Sequence, residues 1–427
     1  MFMTEANNQA SSLAIREGRM LSRNCCALYM INSFAYFMAW PLLTILMVKQ
    51  YGMTHLAVGT IFTAVLLLNA TVALFSSVII RGVGARNSIF SGLVLQCIGF
   101  IIIGLANVPM WAIIGLLVIS TGRGAFESPM KTYLSDNILD KGMLFKTFQL
   151  TYLFVNAGAA CGPLFSMTIG LKNVNANFLV AGVVFLAMAI FVILFFNNNK
   201  VIHPEDKVVR EYKQAIKNKI FLCLLASEIV LAYVFIHYDT TFYQYITVLS
   251  LKNPAEIISF TVMINSVVVI VTQAIFVSLL SSISKIKRVY IGSACFVISG
   301  ALIGFAAPIA GEHFDLLFYC AVVFVGIGEA VLFPLSAILV DRIAPEGAKG
   351  TYYALTNLYL LGFAAGPIVG GWALTQGWMT IFWLSDAVFV LLAAGLLLVA
   401  MRHTSATRFS DSNDVQCYSA GAQKEAD

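Results

Sequence analysis

Residues 178–196 read FLVAGVVFLAMAIFVILFF, nineteen positions with no charged or hydrogen-bonding side chain. A half-buried strand alternates polar and apolar residues, and a surface helix repeats them at about 3.6; this stretch does neither. It is apolar on every face and close to the ~20 residues a helix needs to cross the hydrocarbon core. Inside hydrocarbon every backbone N–H and C=O needs a partner within the protein, and a barrel strand would alternate over about 10 residues. The stretch therefore predicts a spanning helix.

Eleven comparable stretches flank it, at 26–48, 56–80, 88–106, 111–134, 147–171, 220–249, 255–281, 289–308, 316–340, 351–374 and 379–400. The whole chain is 59% hydrophobic and 11% charged, against roughly 25% charged in soluble domains. The expected fold class is an all-α membrane protein with twelve transmembrane helices. The first two dozen residues hold no apolar core followed by a small-residue cleavage site, so the N-terminus is expected to be retained.

Lys and Arg set the orientation. Of the 26 basic residues, Lys49, Lys172 and Lys252 fall in one set of loops and Arg123 and Lys131 within a span. The rest lie in the opposite loops and the two termini. Both termini are thus expected in the cytoplasm, with the chain multi-pass in the cytoplasmic (inner) membrane. The net charge of +5 follows from this asymmetry and does not call for nucleic acid. The eight cysteines are scattered, with neither a zinc spacing nor a disulfide framework.

The longest polar interruption divides six spans from six. This organisation predicts a cytoplasmic N-terminus at 1–25, an N-terminal bundle at 26–197, a cytoplasmic linker at 198–219, a C-terminal bundle at 220–400 and a polar tail at 401–427. The linker, with six basic residues between Lys200 and Lys219, reads either as solvated chain or as an amphipathic helix on the membrane surface.

The halves repeat each other. Pro129, Asp136 and Gly142 recur 205 residues later as Pro334, Asp341 and Gly347; Gly162 and Pro163 recur after 204 as Gly366 and Pro367. One loop deletion reconciles the offsets. Parallel repeats of this kind are a device of secondary transporters, which predicts two pseudo-symmetric six-helix bundles.

On these features the chain resembles the major facilitator superfamily, and within it the twelve-span drug:proton antiporters of the bacterial multidrug-resistance type. WPLLTILMVKQYGMTHLAVGTIFTA, from Trp40, resembles their first two spans, and GIGEAVLFPLSAILVDRIAPEGAKGTYYALTNL, from Gly326, their tenth. Their antiporter motif, Gly-x-x-x-Gly-Pro-x-x-Gly-Gly, is met at Gly158, Gly162 and Pro163, with Ser166 in place of the next glycine. It is met fully at Gly362, Gly366, Pro367, Gly370 and Gly371. Small residues four apart let helices approach closely, and proline bends them, which suits a gate or plain packing. In the loop after the second span, aligning the family's later glycine with Gly84 puts Arg81 where the family has aspartate. Gly328, Glu329 and Pro334 also resemble the tenth span of proton-coupled peptide transporters in the same superfamily, whose acidic signature in the first span is missing here. The resemblance implies the major facilitator fold, alternating access and proton coupling.

An ionisable residue at depth costs about 2.5–3.5 kcal/mol on insertion scales and so marks a cavity or a partner. Arg123, Glu127 and Lys131 recur every four residues within GRGAFESPMKTY and share one helix face. The stripe can serve as a self-paired structural set or as a substrate and proton site. Glu228, Asp239 and Glu329 complete the expected coupling set, and Glu329 is the strongest single candidate. His237 and Asp386 are also ionisable at depth. His237 and Asp239, two apart, face different ways unless the helix unwinds, and Asp239, Tyr243 and Gln244 are expected at an outer gate. Tyr36, Trp40, Tyr152 and Tyr233 are candidate cavity aromatics for a planar substrate, with Phe37, Tyr243 and Tyr359 beside them.

No cofactor or metal is expected, since neither an ATP-binding loop nor a ligand cluster is present. No nucleophile and base suited to an enzyme occur together. The expected partners are a small-molecule substrate, protons and the lipid bilayer, and the chain is expected to act as a monomer. The leading functional reading is proton-coupled export of a small organic compound. The alternatives are proton-coupled transport of a polar metabolite, such as an amino acid, peptide or siderophore, and a transporter-like receptor without flux.

Overall fold

The computed structural model describes residues 2–138, 140–169, 173–197, 205–249, 253–278, 283–309, 314–345 and 348–407. The landmark Gly347, the loop residues Lys172 and Lys252 and the tail beyond Thr407 lie outside the described residues.

The helices are α1 (Phe2–Ile45), α2 (His55–Leu74), α3 (Ser76–Val83), α4 (Ala85–Gly104), α5 (Pro109–Asn137), α6 (Lys141–Ile169), α7 (Val174–Phe195) and α8 (Glu205–Lys217). There follow α9 (Lys219–Asp239), α10 (Thr241–Val248), α11 (Pro254–Ser278), α12 (Lys285–Ile309), α13 (Phe314–Ile343), α14 (Lys349–Thr356), α15 (Leu360–Gln376) and α16 (Met379–Thr407). They supply twelve spans long and apolar enough to cross a membrane, as the apolar runs predict, and no strand forms among the described residues.

Packing repeats with the sequence. In the first half α1 packs on α6 and α7, α4 on α5 and α7, and α2 on α5; in the second, α9 packs on α15 and α16, α12 on α13 and α16, and α11 on α13. Each first-half pair has its counterpart in the second half. The bundles meet along two seams, α2 against α15 and α6 against α11, which the same pseudo-symmetry relates.

Prolines sit inside matching helices: Pro129 in α5 and Pro334 in α13, Pro163 in α6 and Pro367 in α15. Each removes one backbone donor and bends its helix. The antiporter-type glycines occupy matching seams as well. A methyl group on Gly162 would stand 2.7 Å from the Phe34 carbonyl oxygen, and one on Gly362 would stand 2.9 Å from the Tyr233 amide nitrogen. Only glycine lets α6 lie on α1, and α15 on α9, at this distance. Ser166, the motif's exception, is buried and accepts a hydrogen bond from Asn177 Nδ2 of α7 at 3.3 Å.

One departure from the expected helices bears on the site. The stretch 220–249 is not one helix: it breaks at Thr240 (φ −134°, ψ −65°), whose hydroxyl turns back to the Ile236 carbonyl at 2.7 Å. The linker is helical over α8, which docks on α14, where Thr351 Oγ1 donates to Glu211 Oε2 at 2.5 Å.

Candidate functional site

A chamber of about 130 Å³ lies between the bundles, with Phe37, Tyr152 and Asn156 on the N-terminal side and Asp239, Asn265 and Glu329 on the C-terminal side. Glu329 is its centre. Tyr152 on α6 donates to Glu329 Oε1 at 2.8 Å, and Asn265 on α11 donates to Oε2 at 3.2 Å. The first bond crosses from one bundle to the other, and the second stays within the C-terminal bundle. Glycines place this carboxylate: a methyl on Gly326 would meet the Asn265 carbonyl oxygen at 3.0 Å, and one on Gly328 the Phe296 ring at 2.8 Å. With α13 held this close to α11 and α12, Glu329 faces the interface.

Asp239, two residues beyond His237 in α9 and so on another face, lines the chamber and accepts from Tyr243 of α10 at 3.1 Å, while His237 turns away into the bundle. Gln244, expected beside them at an outer gate, is fully buried, and among the described residues neither of its side-chain polar atoms has a hydrogen-bond partner.

The Arg-Glu-Lys stripe resolves into a pair and an outlier. Arg123 Nε donates to Glu127 Oε1 at 2.7 Å, with both side chains 31% exposed. The guanidinium also lies 4.1 Å from the centre of the Tyr36 ring, which itself stacks on Trp40 at 5.1 Å. Lys131 is exposed and stands apart. The flanking glycines explain where Arg123 points. A methyl on Gly122 would press on the Gly92 carbonyl of α4, at 2.5 Å, and one on Gly124 on the Asn69 carbonyl of α2, at 2.9 Å. The pair of glycines wedges α5 between two neighbours, and the intervening arginine faces the remaining side, toward α1. Tyr359, ahead of α15, lies within electrostatic reach of Glu127, Arg123 and Glu228. A cation, an anion and three aromatic rings thus line one stretch of α5 and its neighbours.

Two expected site residues lie elsewhere. Glu228 accepts a hydrogen bond from Ser336, joining α9 to α13. Tyr233 packs edge-on against His237 at 4.6 Å and Phe389 at 5.2 Å, inside the C-terminal bundle and away from the chamber. Nothing in the sequence connects His237 with Asp386. They form a buried pair, His237 Nδ1 to Asp386 Oδ2 at 2.8 Å, 0% and 2% exposed, tying α9 to α16. Two ionisable residues at depth in one half were the available signal, because each needs a partner.

Two bundles of six spanning helices around a mostly apolar chamber that holds two carboxylates define a membrane transporter. The Major Facilitator Superfamily model matches residues 25–360, and the chain belongs to that family. It is 24% identical over 338 residues to the MFS-type transporter YdeE of Escherichia coli (strain K12), covering 79% of this chain and 84% of that protein. It is 25% identical over 162 residues to the multidrug resistance protein MdtH of Proteus mirabilis (strain HI4320), covering 38% of this chain and 40% of that protein. Among solved structures, a POT family transporter in complex with 5-aminolevulinic acid superimposes with a TM-score of 0.74 at 15% identity, covering 91% of this chain and 97% of that one. The family and these relatives are transporters, and the chain is a transporter rather than an enzyme.

Proposed function

We propose that the chain is a proton-coupled secondary transporter of the cytoplasmic membrane that alternates access between two bundles and exports a small organic compound in exchange for protons. The observation that carries this reading is the Tyr152–Glu329 hydrogen bond across the bundle interface, in a chamber that also holds Asp239. A hydrogen bond to a carboxylate is roughly twice as strong as one between neutral groups. Protonating Glu329 weakens the tie to Tyr152 and favours separation of α6 from α13; deprotonation restores it. A substrate that competes with the proton for Glu329 and Asp239 makes the two fluxes opposite. The antiporter-type motif on α15 gives the seam between the bundles a close contact, since a methyl on Gly371 would stand 2.5 Å from the His55 carbonyl oxygen of α2, and the multidrug-resistance relatives support export.

A second reading is favoured by the Arg123–Glu127 pair. It offers one cation and one anion a helical turn apart, a match for the two ends of a zwitterionic metabolite. Proton direction separates the two. Proteoliposomes with an acidic lumen and a lumenal pH dye are given ethidium, a planar organic cation, and a panel of amino acids and short peptides. The export reading expects compound entry with lumenal alkalinisation, absent from Glu329→Gln. Protons moving with the compound would replace it by symport.

A further inference from the structure

A larger cavity, about 790 Å³, lies between α1 and α6 away from the chamber, with Arg19, Arg23 and Lys146 among its walls. It is open at the surface of the bundle. Leu150 and Phe154 line it, each two residues from Tyr152 on α6 and so roughly 160° around the helix from the side that faces Glu329. Ile31 and Leu150, also in the wall, are 39% and 43% exposed and lie within the apolar spans Arg16–Gln50 and Gly142–Met167.

The cavity is graded along its length. The three cations lie near the starts of the two apolar spans, Arg16–Gln50 and Gly142–Met167, and Ala27, Met30, Ile31 and Phe154 follow further along them; six spans separate Arg19 from α8, which therefore lies at the same end. Asp140 is the one carboxylate among the described residues of the wall, and it is engaged: its Oδ1 accepts from the Met143 amide at 2.5 Å at the start of α6. Ser22 and Thr147 bond to each other at 2.8 Å across the floor. A cationic mouth with an apolar furrow behind it matches an anionic headgroup with an acyl chain, and basic pockets between membrane helices hold such headgroups.

We infer that this groove is a binding site for an anionic glycerophospholipid of the surrounding leaflet, with the phosphate among Arg19, Arg23 and Lys146 and an acyl chain along Ile31, Leu150 and Phe154. The chain end reaches the seam that Gly158 closes, since a methyl on Gly158 would meet the Met30 carbonyl and the Phe34 amide. Occupancy therefore bears on how α1 and α6 move together. The site is independent of the proposed substrate and of proton coupling.

The full-length protein in nanodiscs, with phosphatidylglycerol titrated into phosphatidylcholine, gives bound anionic lipid by native mass spectrometry and thermal stability by unfolding. Each cation beside an anionic surface is worth about a five-fold gain in affinity, so the triple variant Arg19→Gln, Arg23→Gln, Lys146→Gln should lose roughly 100-fold in preference for phosphatidylglycerol. A second variant, Ala27→Trp, fills the furrow and leaves the cations; it should lower acyl-lipid retention with folding unchanged. The control Lys213→Gln, Lys217→Gln, Lys219→Gln removes as much exposed charge at the same end and should keep the preference. The inference is overturned if the control loses as much as the triple variant, if both groove variants retain the lipid, or if glycerol phosphate without acyl chains stabilises the protein as well as the lipid does.

Discussion

Replacing Glu329 by Gln removes the charge of the chamber's central side chain and little else. The amide oxygen can accept from Tyr152, and Asn265, whose Oδ1 has no hydrogen-bond partner among the described residues, can rotate to receive the new donor. A hydrogen bond to a charged group contributes about 1.5–3 kcal/mol and one between neutral groups about 0.5–1.5, so the substitution weakens the tie by about 1–1.5 kcal/mol. Only Tyr152 lies across the interface, so this difference falls on the equilibrium between joined and separated bundles, roughly a 5- to 13-fold shift. Tyr152→Phe removes the tie altogether and should shift the same equilibrium by about 1.5–3 kcal/mol. Double electron–electron resonance reads the populations from labels at Leu105 and Trp378, 64% and 49% exposed beyond the ends of α4 and α15. The double variant should shift no further than Tyr152→Phe alone. Additive shifts would refute the reasoning, because two residues that share one bond cannot each lose it separately.

Other outcomes follow from the packing. Arg123→Lys keeps the charge but loses the planar contact with Tyr36, at a cost of about 0.5–1 kcal/mol seen as a modest fall in melting temperature, while Arg123→Gln strands Glu127 and should reduce transport more sharply. Gly162→Ala places a methyl against the Phe34 carbonyl and should lower both stability and flux; Gly395→Ala, with nothing within 4 Å, should leave both intact or gain slightly in stability. Asp386→Asn keeps an acceptor for His237 but removes the carboxylate's charge, and should destabilise the protein by about 1–1.5 kcal/mol in thermal or denaturant unfolding, with Asp386→Ala costing more. Asp239→Asn should instead alter the pH dependence of transport with a much smaller change in stability, since Asp239 lines the chamber with Tyr243 as its hydrogen-bond donor.

The helical, twofold-repeated fold was legible because lipid punishes any other reading of runs such as 178–196, and because Pro129 and Pro334 mark the same bend in each half. Glu329 was legible for the related reason that charge at depth is expensive. What one chain could not reveal was partnership between spans. Tyr152 read as one aromatic among many until α6 and α13 met. His237 and Asp386 are 149 residues apart, and nothing local to either says which helix faces it. Gly122 and Gly124 show why Arg123 points as it does only once α4 and α2 are in place on either side. The break at Thr240 carries no glycine or proline to announce it, and the expected helix there was continuous.

The most direct test of proton-coupled exchange is solid-supported-membrane recording from proteoliposomes, with wild type beside Glu329→Gln, for each compound the wild-type protein moves. The expected result is a wild-type current that reverses with the imposed pH gradient. In Glu329→Gln the gradient-driven current should be absent while compound-for-compound exchange continues, since exchange requires the bundles to rock but not the glutamate to release its proton. A Glu329→Gln variant that still couples flux to the pH gradient would contradict the central role given to the Tyr152–Glu329 contact.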